Sequence, residues 1–168
     1  LCFRHVFARM TVISTKARID SWENYKSLFQ DFAHPSNSML LPPAWIWDIL
    51  DEFIYQFTAN LQWKSRNEVA CAEVEKELKD NKDTFWNLDE IVKLLENLVT
   101  KSKIMEGDKI KNFELPISTI QYFGYYSLVT LLRLHTLVCN YEKALTITRK
   151  FNFEHLNIFS KAYGSFMT

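Results

Sequence analysis

LVTLLRLHTLVCNYEKALTIT, Leu128 to Thr148, decides how this chain folds. In the helix that contains its first half, Ile120 to Val138, the apolar side chains fall on almost every side of a helical wheel, which makes the segment either a core helix or a membrane span. Gln121, Arg133 and His135 interrupt the apolar run, and three such groups speak against a span. Asn140 then marks a short turn, and the spacing of three and four restarts from Tyr141 to about Lys150. A long apolar helix joined by a few residues to a second helix folds back on itself.

The pattern repeats outward from that stretch. Ser118 with Gln121 caps the apolar helix, which reads as the longest of the chain and runs to about Cys139. Before it, Asn87 with Glu90 opens a helix whose stripe is Leu88, Ile91, Leu95, Leu98 and Val99, to about Lys103. Glu106-Gly107-Asp108 ends it, and a polar linker leads to Pro116. Pro42-Pro43 opens a helix that buries Ile46, Ile49, Leu50, Phe53, Ile54, Phe57 and Leu61, because a proline lacks only an N–H that the first turn leaves unpaired. Asp20 with Glu23 starts another, lined by Trp22, Tyr25, Leu28, Phe29 and Phe32, to about Ala33. Leu1 to Ile13 reads as the tail of a helix, and Glu154 to Phe166 as a last one. Lys64 to Asp83 mixes acids and bases throughout and reads as a solvated helix from about Asn67 to Lys79 followed by a polar loop.

Composition agrees. With 168 residues, 48 % of them apolar and 15 % aromatic, the chain can bury a real core. Three glycines and four prolines are too few for the turns of a sheet-rich fold. The expected class is all-α: antiparallel helix pairs in a tetratricopeptide-like helical repeat, a right-handed solenoid. The offsets of Leu128, Leu131-Leu132, His135, Tyr141 and Ala144 resemble the tetratricopeptide pattern, in which a small residue and an aromatic lock two helices together, with Cys139 where that pattern prefers glycine. Residues 1–168 are read as one helical-repeat domain: 1–63 the first helices, 64–84 a charged helix and loop, 85–168 the second half. A chain that opens within a helix reads as an excerpt of a longer polypeptide.

Twenty basic and twenty acidic residues cancel, which disfavours a general phosphate-binding surface, although Lys101, Lys103, Lys109 and Lys111 form a local cluster able to touch phosphates. Cys2, Cys71 and Cys139 are odd in number and widely spaced, as in a cytosolic protein with reduced thiols. No phosphate-loop, dinucleotide, zinc-protease or nucleophile-elbow motif is present. His135 and Cys139, or Cys2 and His5, are pairs where zinc needs three protein ligands. Asp48, Asp51 and Glu52 place three carboxylates on one helical face; they read as a solvated face or as partners for a buried base rather than as acid–base catalysts. The base is Arg133, set in the most apolar helix, where a charge without a partner costs several kcal/mol. Trp45, Trp47, Tyr55 and Trp63 flank these acids and read as core or protein interface. Trp63, Tyr122, Tyr125 and Tyr163 are the candidates for partly exposed aromatics on a docking face. No catalytic, metal or cofactor site is expected.

Three stretches together resemble one family. Leu41-Pro42 with the run Trp45 to Phe57, then Trp86-Asn87 with Leu94-Leu95, Leu98-Val99 and Lys101-Ser102, then Gly124 to Val129 with Leu131 to His135, Tyr141 and Ala144, are similar, in order, to the L subunits of eukaryotic translation initiation factor three. The resemblance implies a cytoplasmic, non-enzymatic scaffold subunit, taken from the middle of a helical-repeat region that precedes a PCI module. It implies contact with other subunits of the factor, K and E foremost, and through them with the small ribosomal subunit. It implies no cofactor, no membrane and no small-molecule substrate. The alternatives are a helical-repeat adaptor of another PCI-type assembly and an RNA-contacting helical module.

Overall fold

Ser14 caps the first helix of the computed structural model, which describes residues 14–34, 39–66, 85–110 and 117–151. Its hydroxyl accepts from the Ala17 N–H at 3.2 Å, so helix α1 spans Thr15–Ala33. The expected start at Asp20 is a turn and a half late, because Lys16, Ala17 and Arg18 carry no apolar stripe although the Ser14 cap precedes them. From α1, Trp22, Tyr25, Phe29 and Phe32 are buried, one face at spacings of three and four.

Helix α2, Pro43–Arg66, begins at the second proline and is the longest described element, at 24 residues. The apolar helix around Leu128 is shorter, so the expectation about length is corrected. α2 also takes in Lys64–Arg66, which the sequence assigns to the charged segment. Helix α3, Leu88–Ser102, is capped by Asn87, whose side chain accepts from the Asp89 N–H at 2.8 Å. The expected polar linker instead begins with a hairpin: β1, Met105–Glu106, pairs antiparallel with β2, Lys109–Ile110, around Gly107 at φ 59°. Helix α4, Thr119–Leu137, carries the expected box, the Ser118 N–H donating to Gln121 Oε1 at 2.8 Å.

α4 ends two residues before the expected limit. The Asn140 N–H bonds the His135 carbonyl at 2.8 Å and the Cys139 N–H bonds that of Thr136 at 3.1 Å. This is the Schellman arrangement, and it puts Cys139 at φ 58°. A side chain there costs about 1 kcal/mol relative to glycine. Helix α5 is Tyr141–Thr148, also two residues shorter than read. The readings for Leu1–Ile13, Asn67–Lys79 and Glu154–Phe166 lie outside the described residues.

Named contacts give the helix directions. Arg18 lies over the Trp63 ring at 5.1 Å while Phe29 meets Phe53 at 4.9 Å, so α1 and α2 run antiparallel. Ser102, at the end of α3, touches Gly124 near the start of α4, and those two also run antiparallel. The hairpins then stack like on like. Trp22 of α1 meets Trp86 at the start of α3 at 5.3 Å, and Phe32 at the end of α1 reaches across to Phe123 of α4 at 4.4 Å. On the α2 side, the Leu41 N–H bonds Thr119 Oγ1 at 3.3 Å, Trp47 meets Tyr126 at 5.6 Å and Asp51 meets Arg133, in parallel order. This is the all-α stack of helix pairs expected from the sequence. α4 ends alongside the middle of α2, which explains why Leu61, expected in the core, is exposed.

A Cβ added at Gly124 would stand 2.0 Å from Ser102 Oγ, so glycine is what lets α3 and α4 approach there. Gly124→Ala is expected to lower stability by about 1–3 kcal/mol through overpacking. Adding Ser102→Gly should recover more than half of that loss. Urea unfolding of the single and double variants measures both effects.

Candidate protein-contact surface

Helix α2 carries most of the acidic and aromatic residues that the sequence singles out. Arg133, on α4, donates to Asp51 Oδ1. Their side chains are 46 % and 41 % exposed, so the pair stands at the rim and not in the core. α4 is apolar over most of its circumference, but Arg133 falls on the strip between α2 and solvent. A screened pair of this kind contributes about 0–1 kcal/mol. The other two acids are placed differently. Asp48 is exposed, while Glu52 is buried and its Oε1 accepts from Gln56 Nε2 at 2.7 Å. The three carboxylates thus do not act as one cluster on Arg133.

The aromatic candidates separate as well. Tyr122 and Tyr125 are buried, which corrects their reading as exposed contact residues. α4 is covered by α2, α3 and α5, and its first two turns have no open side. Burial raises the Tyr122 hydroxyl above its ordinary value and pushes that of Tyr125 up to about 12. Trp63 is half-buried beneath the Arg18 guanidinium, and Trp47 half-buried against Tyr126. Tyr163 lies outside the described residues. Trp45 and Tyr55 keep exposed rings on α2.

The tetratricopeptide reading of Tyr141 and Ala144 is half met. Ala144 is buried against α4, but Tyr141 is exposed, because Asn140 turns α5 so that Ala144 and Ile147 face inward. Tyr141 and Leu145, one turn apart on α5, form an exposed apolar pair that the sequence reading missed, with Leu137 also exposed at the end of α4. The pair's signal is present in the sequence: α5 has apolar residues on two sides where a single-faced helix needs one. Leu40 was missed too, lying in the segment before the Pro42-Pro43 helix start.

His135 and Cys139 do not share a helical face, since α4 stops at Leu137. His135 is buried and Cys139 exposed. Among the described residues, no group of three or more His, Cys, Asp or Glu side chains is placed to hold a metal ion. Nor is any helix among them long and apolar enough to cross a membrane.

Burial holds the His135 imidazole below its ordinary 6.5, Lys143 adds to that lowering, and Glu96 opposes it. Its Nδ1 has no hydrogen-bond partner among the described residues. The unfolded chain therefore binds a proton more readily than the folded one. Stability from this group is complete above pH 6.5 and declines as the pH falls below it. His135→Leu is expected to flatten that decline between about pH 7.5 and 5.5. Denaturation midpoints across the range check this, and equal slopes for the two proteins would contradict it.

Comparison with known proteins bears on what such a surface serves. Residues 17–168 match a family described as RNA polymerase I-associated factor PAF67. The chain is 30 % identical over 174 residues to eukaryotic translation initiation factor 3 subunit L of Xenopus laevis, across 96 % of this chain and 31 % of that protein. The Danio rerio protein of the same name is 30 % identical, across 96 % of this chain and 30 % of its own length. The human one is 29 % identical, across 96 % and 31 %. The chain thus spans under a third of the length of these relatives.

Proposed function

We propose that this chain, which belongs to the Paf67 family, is a non-enzymatic scaffold segment that binds other subunits of translation initiation factor three. The observation that carries the reading is the likeness to initiation factor 3 subunit L over 96 % of the chain, which takes in both helix pairs rather than one motif. The partners are the K and E subunits foremost, with the small ribosomal subunit engaged through them and the assembly cytoplasmic. The stacked helix pairs suit this role, because a stack presents long lateral faces and exposed ends to several partners at once.

The family's description favours a second reading, association with RNA polymerase I. The named relatives favour initiation.

Size-exclusion chromatography of the purified chain with purified K subunit and with purified E subunit tests the proposal. Co-elution with at least one, persisting at about 200 mM salt, is the expected result. Phosphate contacts would instead lose affinity by about a thousandfold or more between about 50 and 200 mM salt. Co-elution with neither subunit would overturn the scaffold assignment, and RNA binding of that salt slope would put a phosphate-binding module in its place.

A further inference from the structure

One end of the stack gathers groups that are far apart in sequence. The Leu41 N–H bond to Thr119 Oγ1 lays the entry of α2 on the first turn of α4. Gly124, in the second turn of α4, touches Ser102 at the end of α3. Tyr125 packs on Phe151, just beyond α5, with ring centroids 5.8 Å apart. The β1–β2 hairpin is tied to the same place: the Ile110 N–H donates to the Lys150 carbonyl at 3.0 Å, and Lys109 Nζ to that of Arg149 at 2.6 Å.

This end therefore carries two kinds of exposed group. On the α2 side, Leu40 is 84 % and Trp45 61 % exposed. On the side of α3, the hairpin and α5, Lys101, Lys103, Lys109 and Arg149 are all exposed. From Lys101 to Ile110 and from Thr148 to Phe151 the opposing acids are Glu106 and Asp108, flanking the hairpin turn, while Asp89, Glu90, Glu96 and Glu142 stand earlier in α3 and α5. The chain as a whole is neutral, so the surplus of positive charge here is local.

We infer that this end is a docking surface for an acidic amphipathic helix of a partner protein, whose apolar side chains cover Leu40 and Trp45 while its carboxylates meet Lys101, Lys103, Lys109 and Arg149. An amphipathic helix of that composition satisfies both halves of the surface: apolar anchors bury area, and charges at the rim steer encounter. RNA accounts for the cations alone. A phosphate backbone gains nothing from an exposed leucine, and a single exposed tryptophan is a poor platform for successive bases. The inference rests on the scaffold reading and adds to it the surface used and the chemistry of the partner.

The test measures binding of purified K subunit, purified E subunit and a short single-stranded RNA to four forms of the chain. These are the unaltered chain, a charge variant (K101E, K103E, K109E, R149E), an apolar variant (L40S, W45S) and a control altered at the far end (L137S, Y141S). The expected result is binding of the K or E subunit by the unaltered chain. Each of the first two variants should weaken it by about tenfold or more, and the control should leave it unchanged. Acetylation footprinting of the unaltered chain avoids any question of variant folding; the subunit should protect Lys101, Lys103 and Lys109 but not Lys143.

If a subunit binds and neither the two variants nor the footprint respond, the docking surface is wrong while the scaffold reading stands. If neither subunit binds, both fall. RNA binding that is lost in the charge variant and kept in the apolar one would overturn the protein partner in favour of a phosphate-binding surface.

Discussion

Phe53 is the contact on which the arrangement of the helices depends. Its ring meets Trp22 at 6.3 Å, Tyr25 at 5.1 Å, Phe29 at 4.9 Å and Trp86 at 5.3 Å. Those four side chains come from α1 and from the turn that starts α3, so one ring joins both members of the first hairpin to the opening of the second. Rings of this size bury large apolar areas and hold preferred tilts, and each pair contributes about 0.5–1.5 kcal/mol beyond area. The nucleus also explains the backbone of Trp86, a bulky residue held at φ 55°. Such a conformation costs about 1–3 kcal/mol and persists only where the surroundings dictate it. Trp86 is buried among three other rings, and its indole N–H donates to the Arg18 carbonyl at 3.0 Å.

Large rings keep α1 and α2 apart, whereas Gly124 lets α3 and α4 nearly touch. Both settings fix where the outward groups stand. The parallel passage of α2 beside α4 places Asp51 on Arg133 at the rim and leaves Trp45 and Tyr55 facing outward. The close α3–α4 contact brings the end of α3, the hairpin and the end of α5 to one end of the stack. A scaffold needs this kind of precision: its partner surfaces are assembled from several helices, and each is only as well placed as the packing beneath it.

Much of this was readable in the sequence. Stripes such as Trp22, Tyr25, Phe29 and Phe32, or Ile91, Leu95 and Leu98, report helix and buried face together, because a period of 3.6 has no other economical explanation. Caps fixed two starts, at Asn87 and Ser118, but Ser14 escaped notice because no apolar stripe follows it at once. Side-chain exposure was less legible. Tyr122 and Tyr125 are buried because three helices surround α4, and Leu61 is exposed because α4 stops short of it; both facts are set by helix lengths and offsets. The hairpin at Met105–Ile110 is too short to show an alternating pattern. Cys139 carried a visible signal, a side chain where the pattern prefers glycine, and the backbone there is left-handed as glycine would have been.

Two helix pairs form one unit through the aromatic nucleus around Phe53. Site-resolved hydrogen exchange on Phe53→Ala tests it most directly. Removing a fully buried phenylalanine costs about 3–5 kcal/mol. Protection is expected to fall by a similar factor in α1, α2, α3 and α4 together. Loss confined to α1 and α2, with α3 and α4 protected as before, would contradict it.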